Sequence, residues 1–552
     1  MTRYCIALDI GTSGLRCQAI DMDTKETVAT SITQRHPIPG MNVIDHVNFA
    51  IRSGEDAATG LLRGAINALF KTLKIDLSKV ESVGVCGNPF QLSLFQGIEI
   101  RDLAYAGKNM LEDLGVVPPK RDGAVLSATD AGLEGMPNAR VIIPPAVRHE
   151  IGADAMAMLM MTDVLDEEEP CLVVDYGTNA EMALIYEGKI ITGSAAAGPA
   201  MEGQEIERGM LASPGAICDV EITPKGWKCY VLDETMATKE GDTIDPLSGE
   251  VVKKGPMSGK ATGITGTGVV AALYCGLTSG IIVPPNITTR DCKLHLQDGI
   301  DISSKDVEEA GKAIGALRAG FLTLLHEAGL WADDVKKAYM SGASGLYVDA
   351  KKALAIGMVV PGAERIVQFG NTSIGLARKV AMDEISMDDL KEFANKLRAD
   401  HCMFATAQVF KDIYSIEYAI WAQGMPMNEY NNMLDVYDLP PIKDPIQDPD
   451  VKRYAERDLP DTENSPIHVL ENPGTLLRGK VEGCIACRKC ERICPEHAMK
   501  ITKESDGNYA NIRTDLCGGY ACSRCERECP ENVLNYKGLR LSDRRQKADR
   551  PL

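Results

Sequence analysis

A chain of 552 residues is too long for one hydrophobic core and is expected to divide into three or four domains. Its 45% apolar content supplies a large interior, and its net charge of −19 argues against nucleic acid as the main partner. Met1-Thr2-Arg3-Tyr4-Cys5 runs straight into a strand pattern, and no apolar stretch reaches the roughly eighteen residues that span a bilayer; a cytoplasmic protein without a membrane segment is therefore expected.

From residue 1 to about 385, short β-rich runs alternate with helical patterns. Strands are predicted at 5–9, 83–86, 139–143, 171–175, 182–186 and 338–340, and helices at 57–73, 153–161, 303–328 and 350–355. That alternation predicts layered α/β domains. The first strand ends in Asp9 and meets the turn Gly11-Thr12-Ser13-Gly14, after which an apolar run at 15–20 returns as a second strand. Such a turn offers backbone N–H groups and hydroxyls to phosphate oxygens, and the carboxylate can hold Mg2+ through water. The pattern recurs as Leu172-Val173-Val174-Asp175-Tyr176-Gly177-Thr178-Asn179, again followed by a strand, which predicts two related lobes facing one nucleotide. Tyr339-Met340-Ser341-Gly342-Ala343-Ser344-Gly345 reads as a strand running into a small-residue loop, where an adenosine can approach the backbone through Gly342, Ser344 and Gly345.

Residues 386–435 read as helical. Seven prolines between 440 and 473 then point to an extended connector, with a meander on the α/β surface as the alternative. A cysteine-rich domain covers 479–536, and a basic, loose tail is expected at 537–552. The Met-rich run 156–161 is expected to fill core, and the eight dispersed histidines are assigned surface or capping roles. No Walker A pattern or H-E-x-x-H occurs, and Gly263-x2-Gly266-x-Gly268 reads as the start of a helix.

Eight of the seventeen cysteines crowd between Cys484 and Cys529. Cys484-x2-Cys487-x2-Cys490-x3-Cys494-Pro495 has the spacing of a bacterial ferredoxin half-site, in which three thiolates hold one 4Fe–4S cluster and the fourth reaches the other. The second motif, Cys517-x4-Cys522-x2-Cys525-x3-Cys529-Pro530, has the same ending and a longer first gap, which Gly518-Gly519 make sterically easy. Crossed ligation predicts one cluster on Cys484, Cys487, Cys490 and Cys529, and another on Cys494, Cys517, Cys522 and Cys525. A pair of structural zinc sites is the alternative; zinc has no need of four cysteines per motif or of paired Cys-Pro endings.

The two phosphate turns and the 339–345 segment, in this order, resemble the actin/sugar-kinase/Hsp70 ATPase superfamily, with Gly152-Ala153-Asp154-Ala155 as its connecting element. Asp175-x-Gly-Thr-Asn-Ala-Glu, Gly198-Pro199-Ala200-Met201-Glu202-Gly203, Ile206-x2-Gly209-Met210, Gly215-Ala216-Ile217, the segment 268–282 and Gly370-Asn371-Thr372 are similar to the ATPase domain of reductive activators of corrinoid proteins. That resemblance covers roughly residues 1–385. With a C-terminal two-cluster module the whole chain resembles the family members that serve methylamine corrinoid methyltransferases. Two departures stand out: Gly342-Ala343-Ser344-Gly345 replaces Gly-Gly-Phe-Gly, and Thr265-Gly266-Thr267-Gly268 replaces Cys-Gly-Ser-Gly.

The resemblance implies a two-lobed ATPase, with lobe I at 1–168 and lobe II at 169–385, then a helical and proline-rich segment at 386–478 ahead of a ferredoxin-like α+β domain. It implies Asp9 and Asp175 as catalytic carboxylates, ATP bound by Gly11, Thr12, Ser13, Gly177, Thr178, Asn179, Gly342, Ser344 and Gly345, and Mg2+ and two 4Fe–4S clusters as cofactors. The implied activity is ATP-dependent reduction of Co(II) to Co(I) in corrinoid proteins of methylamine methyltransferase systems, fed by a low-potential electron donor. Competing readings are an activator of a radical dehydratase or aryl-CoA reductase, and a non-enzymatic ATP-sensing ferredoxin scaffold.

Overall fold

The computed structural model describes residues 2–40, 42–105, 108–148, 151–177, 179–195, 205–462 and 465–542. Thr178, the block at 198–203 and the end of the basic tail at 543–552 lie outside the described residues. The chain folds as two compact units, one gathering Met1–Asp154, Ser373–Ala394 and Asp461–Leu552, the other Ala155–Thr372 and Asn395–Pro460.

The first unit is built on a seven-stranded sheet in the order Ile467–Leu470, Thr27–Thr33, Leu15–Asp21, Tyr4–Ile10, Val80–Gly87, Arg140–Ile143, Ala124–Ser127. Tyr4–Ile10 is buried along almost its whole length, which is why it reads as a continuous apolar run rather than an alternating one. It pairs antiparallel with Leu15–Asp21 and parallel with Val80–Gly87, so the turn after Asp9 sits at the carboxyl end of the central strand. Thr372–Ala381 covers the sheet at Gly84, where a Cβ would stand 2.0 Å from the Ala377 carbonyl oxygen, so only glycine fits there.

The second unit carries a six-stranded sheet in the order Asp450–Arg453, Arg365–Gln368, Lys337–Ser341, Cys171–Tyr176, Ala180–Tyr186, Lys189–Ala195. Three antiparallel strands continued by parallel ones repeat the plan of the first sheet, with Asp175 where Asp9 stands. Ser304–Ala328 opens on a capping box between Ser303 and Asp306 and buries an apolar stripe against this sheet. A five-stranded sheet adds Ala216–Thr223, Gly226–Leu232, Thr238–Ile244, Val251–Lys253 and Gly263–Ile264.

Several expectations are decided or changed. The proline-rich stretch is a meander that supplies an edge strand to each large sheet, Asp450–Arg453 to one and Ile467–Leu470 to the other; edges tolerate proline because one row of N–H groups needs no partner. The segment after Ser341 is a short helix, Gly342–Tyr347, not an open loop. The start of the tail is structured too: Arg540–Leu541 pairs with Leu476–Lys480, which together with Met499–Glu504 and Gly507–Arg513 forms the four-stranded sheet of the cysteine module. Met156 and Met158 are buried. His36 and His46 are buried as well, against the surface role assigned to them, and their rings stack 4.3 Å apart.

Candidate functional site

In the first phosphate turn, Asp9 is buried at the strand end with Arg16 Nη1 3.5 Å from its Oδ2. Gly11 and Gly14 are held by close packing, since a Cβ on either would stand 3.1 Å from Gly14 O or 3.0 Å from Thr33 O. Asn88 Nδ2 donates to Thr12 Oγ1 at 3.2 Å, which leaves the Thr12 hydroxyl proton to donate to an anion. Asn88 also caps the helix Pro89–Gln96. Leu15 N–H, closing the turn, donates to Thr33 Oγ1 at 2.8 Å.

In the second unit Asp175 receives a hydrogen bond from Ser341 Oγ at 3.2 Å, and Ser341 Oγ lies 3.2 Å from Thr372 Oγ1. Gly342 has φ +81, and a Cβ there would lie 2.6 Å from Asp175 Oδ1; the left-handed turn and the carboxylate both require glycine. Gly177, Tyr176 and Ala180 from the hairpin face Gly266 and Thr267 at a helix start and Ser344 across a narrow cleft. Val270, Leu317, Val348 and Met358 make the cleft's apolar wall. Gly345 packs its α-carbon against Tyr176 and Met340, and Asn179 stands beside Gly177. Gln368 Nε2 donates to the carbonyls of Gly345, Leu346 and Val348 at 2.6, 3.3 and 2.9 Å, fixing the end of the short helix. Leu317, Val348, Met358 and Gln368 fall in no motif and carry no sequence signal; Thr267 was visible only as a departure from a family pattern.

The cysteine module brings the eight thiols together in two sets. Cys484, Cys487, Cys490 and Cys529 line one cleft, under Ile501, Val533 and Leu534. Burial pushes Cys490 up to about 11, and Cys484 and Cys487 add to the rise. Burial likewise pushes Cys517 up to about 11 and Cys525 up to about 12, with Cys522 and Cys494 adding to both, so Cys494 lies near these three. Cys529 is opposed by burial, yet the backbone N–H groups of Leu534, Val533, Glu531 and Asn532 hold it below the ordinary thiol range. Thiols that repel one another as thiolates call for positive charge between them. Among the described residues no three His, Cys, Asp or Glu side chains are spaced to share a single metal ion, and thiols around a cuboidal cluster stand further apart than those around one zinc.

The two halves repeat a device the spacing alone did not reveal. Arg492 donates to Cys487 O at 3.1 Å and Arg527 to Cys522 O at 2.8 Å, while the carboxylates of Glu491 and Glu526 accept from Ile501 N–H and Tyr536 N–H. Left-handed residues recur at matching places, Arg488 with Ser523 and His497 with Asn532. The identical Cys-Glu-Arg-x-Cys-Pro-Glu at 490–496 and 525–531 was the available signal. N–H groups also point at sulfur, from Ala486 to Cys484 at 3.4 Å and from Ala498 to Cys494 at 3.3 Å.

Residues 4–167 match a family profile described as the RACo middle region, and residues 169–431 one described as the C-terminal domain of RACo, the ASKHA domain. The chain is 48% identical over 518 residues to the Co(II) methylated amine-specific corrinoid protein reductase of Methanosarcina barkeri, covering 94% of this chain and 95% of that one. It is 24% identical to the corrinoid activation enzyme RamQ of Eubacterium limosum over 64% of this chain and 60% of that protein. A solved reductive activator for a corrinoid, iron–sulfur protein superposes with a TM-score of 0.61 at 23% identity, covering 76% of this chain and 66% of that one, and so shares the fold. No helix among the described residues is long and apolar enough to cross a membrane.

Proposed function

Because the chain belongs to the family of reductive activators of corrinoid proteins, we propose that it spends ATP to reduce Co(II) to Co(I) in the corrinoid proteins of methylamine methyltransferase systems. The observation that carries this reading is the gathering of eight thiols into two crossed sets, in a chain that also has an ASKHA domain. Two 4Fe–4S clusters, one on Cys484, Cys487, Cys490 and Cys529 and one on Cys494, Cys517, Cys522 and Cys525, would supply one-electron transfer at low potential. The chain's own groups prepare for that charge: N–H donors point at Cys484, Cys494 and Cys529, and apolar residues roof the first set.

On the nucleotide side, Asp9 and Asp175 would hold Mg2+ through water and orient the attacking water. The turns at Gly11, Thr12, Ser13 and at Gly177, Thr178, Asn179 would take the phosphates, and the cleft under Ser344 the adenine. Hydrolysis supplies several kcal/mol, and for one electron ~1.4 kcal/mol corresponds to ~59 mV, so a shift of ~100–300 mV is within reach. An activator that shares one cluster across a dimer needs few cysteines per chain, which fits eight local thiols poorly.

The test is anaerobic. A methylamine-type corrinoid protein held as Co(II) is mixed with this chain, a low-potential reductant and MgATP, and its spectrum is followed. Conversion to Co(I) only when chain and ATP are both present is expected; conversion without nucleotide, or none with it, rejects the proposal.

A further inference from the structure

The longer first gap of the second cysteine motif is where the module meets the α/β body of its own compact unit. Gly519 has φ +71, and a Cβ on it would stand 3.0 Å from Gly40 Cα. Gly40 N–H donates to the Cys517 carbonyl at 2.9 Å, the Arg52 guanidinium lies 4.2 Å above the Tyr520 ring, and Arg35 pairs with Glu496 at 2.6 Å. Tyr520 packs edge-on to Tyr536, whose hydroxyl is 3.5 Å from Cys517 Sγ. These four docking contacts touch Cys517, its gap residues, or the residue two beyond Cys494. All belong to one thiol set.

The same docking surface runs back to the phosphate turn. Thr33 accepts from Leu15 N–H at the end of that turn, and its carbonyl lies against Gly14. Two residues later comes Arg35, and five after that Gly40. Leu470, paired with Thr33, leads through five residues into the module's first strand. A second line joins the same ends: Asn88 holds Thr12 and caps the helix Pro89–Gln96, Gln91 on that helix bonds His46 at 2.8 Å, and His46 lies on Val43–Ser53, the helix that carries Arg52.

We propose that Arg35, with the segment 33–40, is a positioning element that links nucleotide phosphate at residues 11–14 to the cluster held by Cys494, Cys517, Cys522 and Cys525. Nucleotide then shifts the potential of that cluster and leaves the one on Cys484, Cys487, Cys490 and Cys529 unmoved. This rests on the cluster reading above. The physical basis is that a potential follows hydrogen bonding and solvent exposure at the sulfurs, and the Cys517 loop is held through Gly40 and Tyr536.

The test titrates the intact holoprotein potentiometrically by EPR, with and without a non-hydrolysable Mg–ATP analogue. In the unmodified chain, half of the cluster signal should shift by at least tenfold in its reduction equilibrium, ~59 mV for one electron, and the other half should not. Arg35→Ala should cut that shift to under a third without changing iron content or basal ATP turnover, and Arg35→Lys should restore it. Glu496→Gln breaks the same ion pair from the module side and should behave as Arg35→Ala does. Amide exchange at Gly40 should slow at least threefold with the analogue in the unmodified chain and not in Arg35→Ala. A shift of both halves, of neither, or an undiminished shift in both variants overturns the coupling, whereas protein purified anaerobically without iron overturns the cluster reading itself.

Discussion

The cysteine module and the cleft proposed for nucleotide are built by opposite means. In the module one side-chain type, the cysteine thiol, is the proposed ligand throughout, and a single device, a glutamate and an arginine bracing each thiol loop, is used twice. In the cleft no single residue type dominates: its walls come from Tyr176, Gly177 and Ala180, from Gly266, Thr267 and Val270, and from Leu317, Ser344, Val348 and Met358, and close approach of backbone matters as much as side chains. On the proposed reading, loss of a thiol removes a ligand outright, while a change in the cleft grades the geometry. Function in the first is discrete and in the second continuous.

The largest expected effect lies on the discrete side. Cys490→Ala and Cys525→Ala should each lose about half of the iron and sulfide, and each should abolish cobalt reduction while leaving ATP hydrolysis in place. Iron analysis of anaerobically purified protein checks the first and the corrinoid assay the second; full iron retention in either variant would break the contrast.

On the continuous side, Asp175→Asn should lower ATP turnover by more than about tenfold with both clusters intact, because water and metal orientation are lost. Gly342→Ala should do less, roughly three- to fivefold. It should also lower unfolding stability by about 1–2 kcal/mol, since the residue must sit at φ +81 with its Cβ against Asp175. Steady-state hydrolysis and urea unfolding separate the two variants, and equal losses in both would mean that the cleft too depends on single groups.

The smallest effect concerns the buried histidines. Burial holds His36 well below the ordinary imidazole value of 6.5, with the His46 charge adding to this, and burial brings His46 down to about 4. The unfolded chain binds protons there that the folded chain refuses. Stability is therefore complete above pH ~6.5 and falls as pH drops toward 4. The urea midpoint of the first compact unit should be lower at pH 5 than at pH 7, and His46→Gln should flatten that dependence.

The same contrast explains what the sequence made legible. Cysteines at fixed spacing, and carboxylates at the ends of apolar strands, can be located from the sequence, because one short run of chain fixes both residue type and position. Gln368 and Met358 do not: each matters only because a distant strand or turn brings it beside residues 344–348. The x4 gap was visible as an irregularity, but its docking partner Gly40 lies hundreds of residues upstream and no pattern ties the two. Prolines between 440 and 473 signalled irregular backbone correctly, yet edge strands are the one sheet position that accepts them, so local chemistry alone left connector and meander open.

The account stands on ATP being required for the step between cluster and cobalt, whatever shift nucleotide makes in the potential of one cluster. One anaerobic sample holding this chain, a Co(II) methylamine-type corrinoid protein and titanium(III) reports both signals by EPR. With titanium(III) in excess, strong enough to reduce both clusters fully whether or not nucleotide shifts one of them, the account predicts complete cluster reduction with and without MgATP, while the Co(II) signal disappears only with it and persists with a non-hydrolysable analogue. Loss of the Co(II) signal without nucleotide, or clusters that stay oxidised until ATP is added, would contradict it.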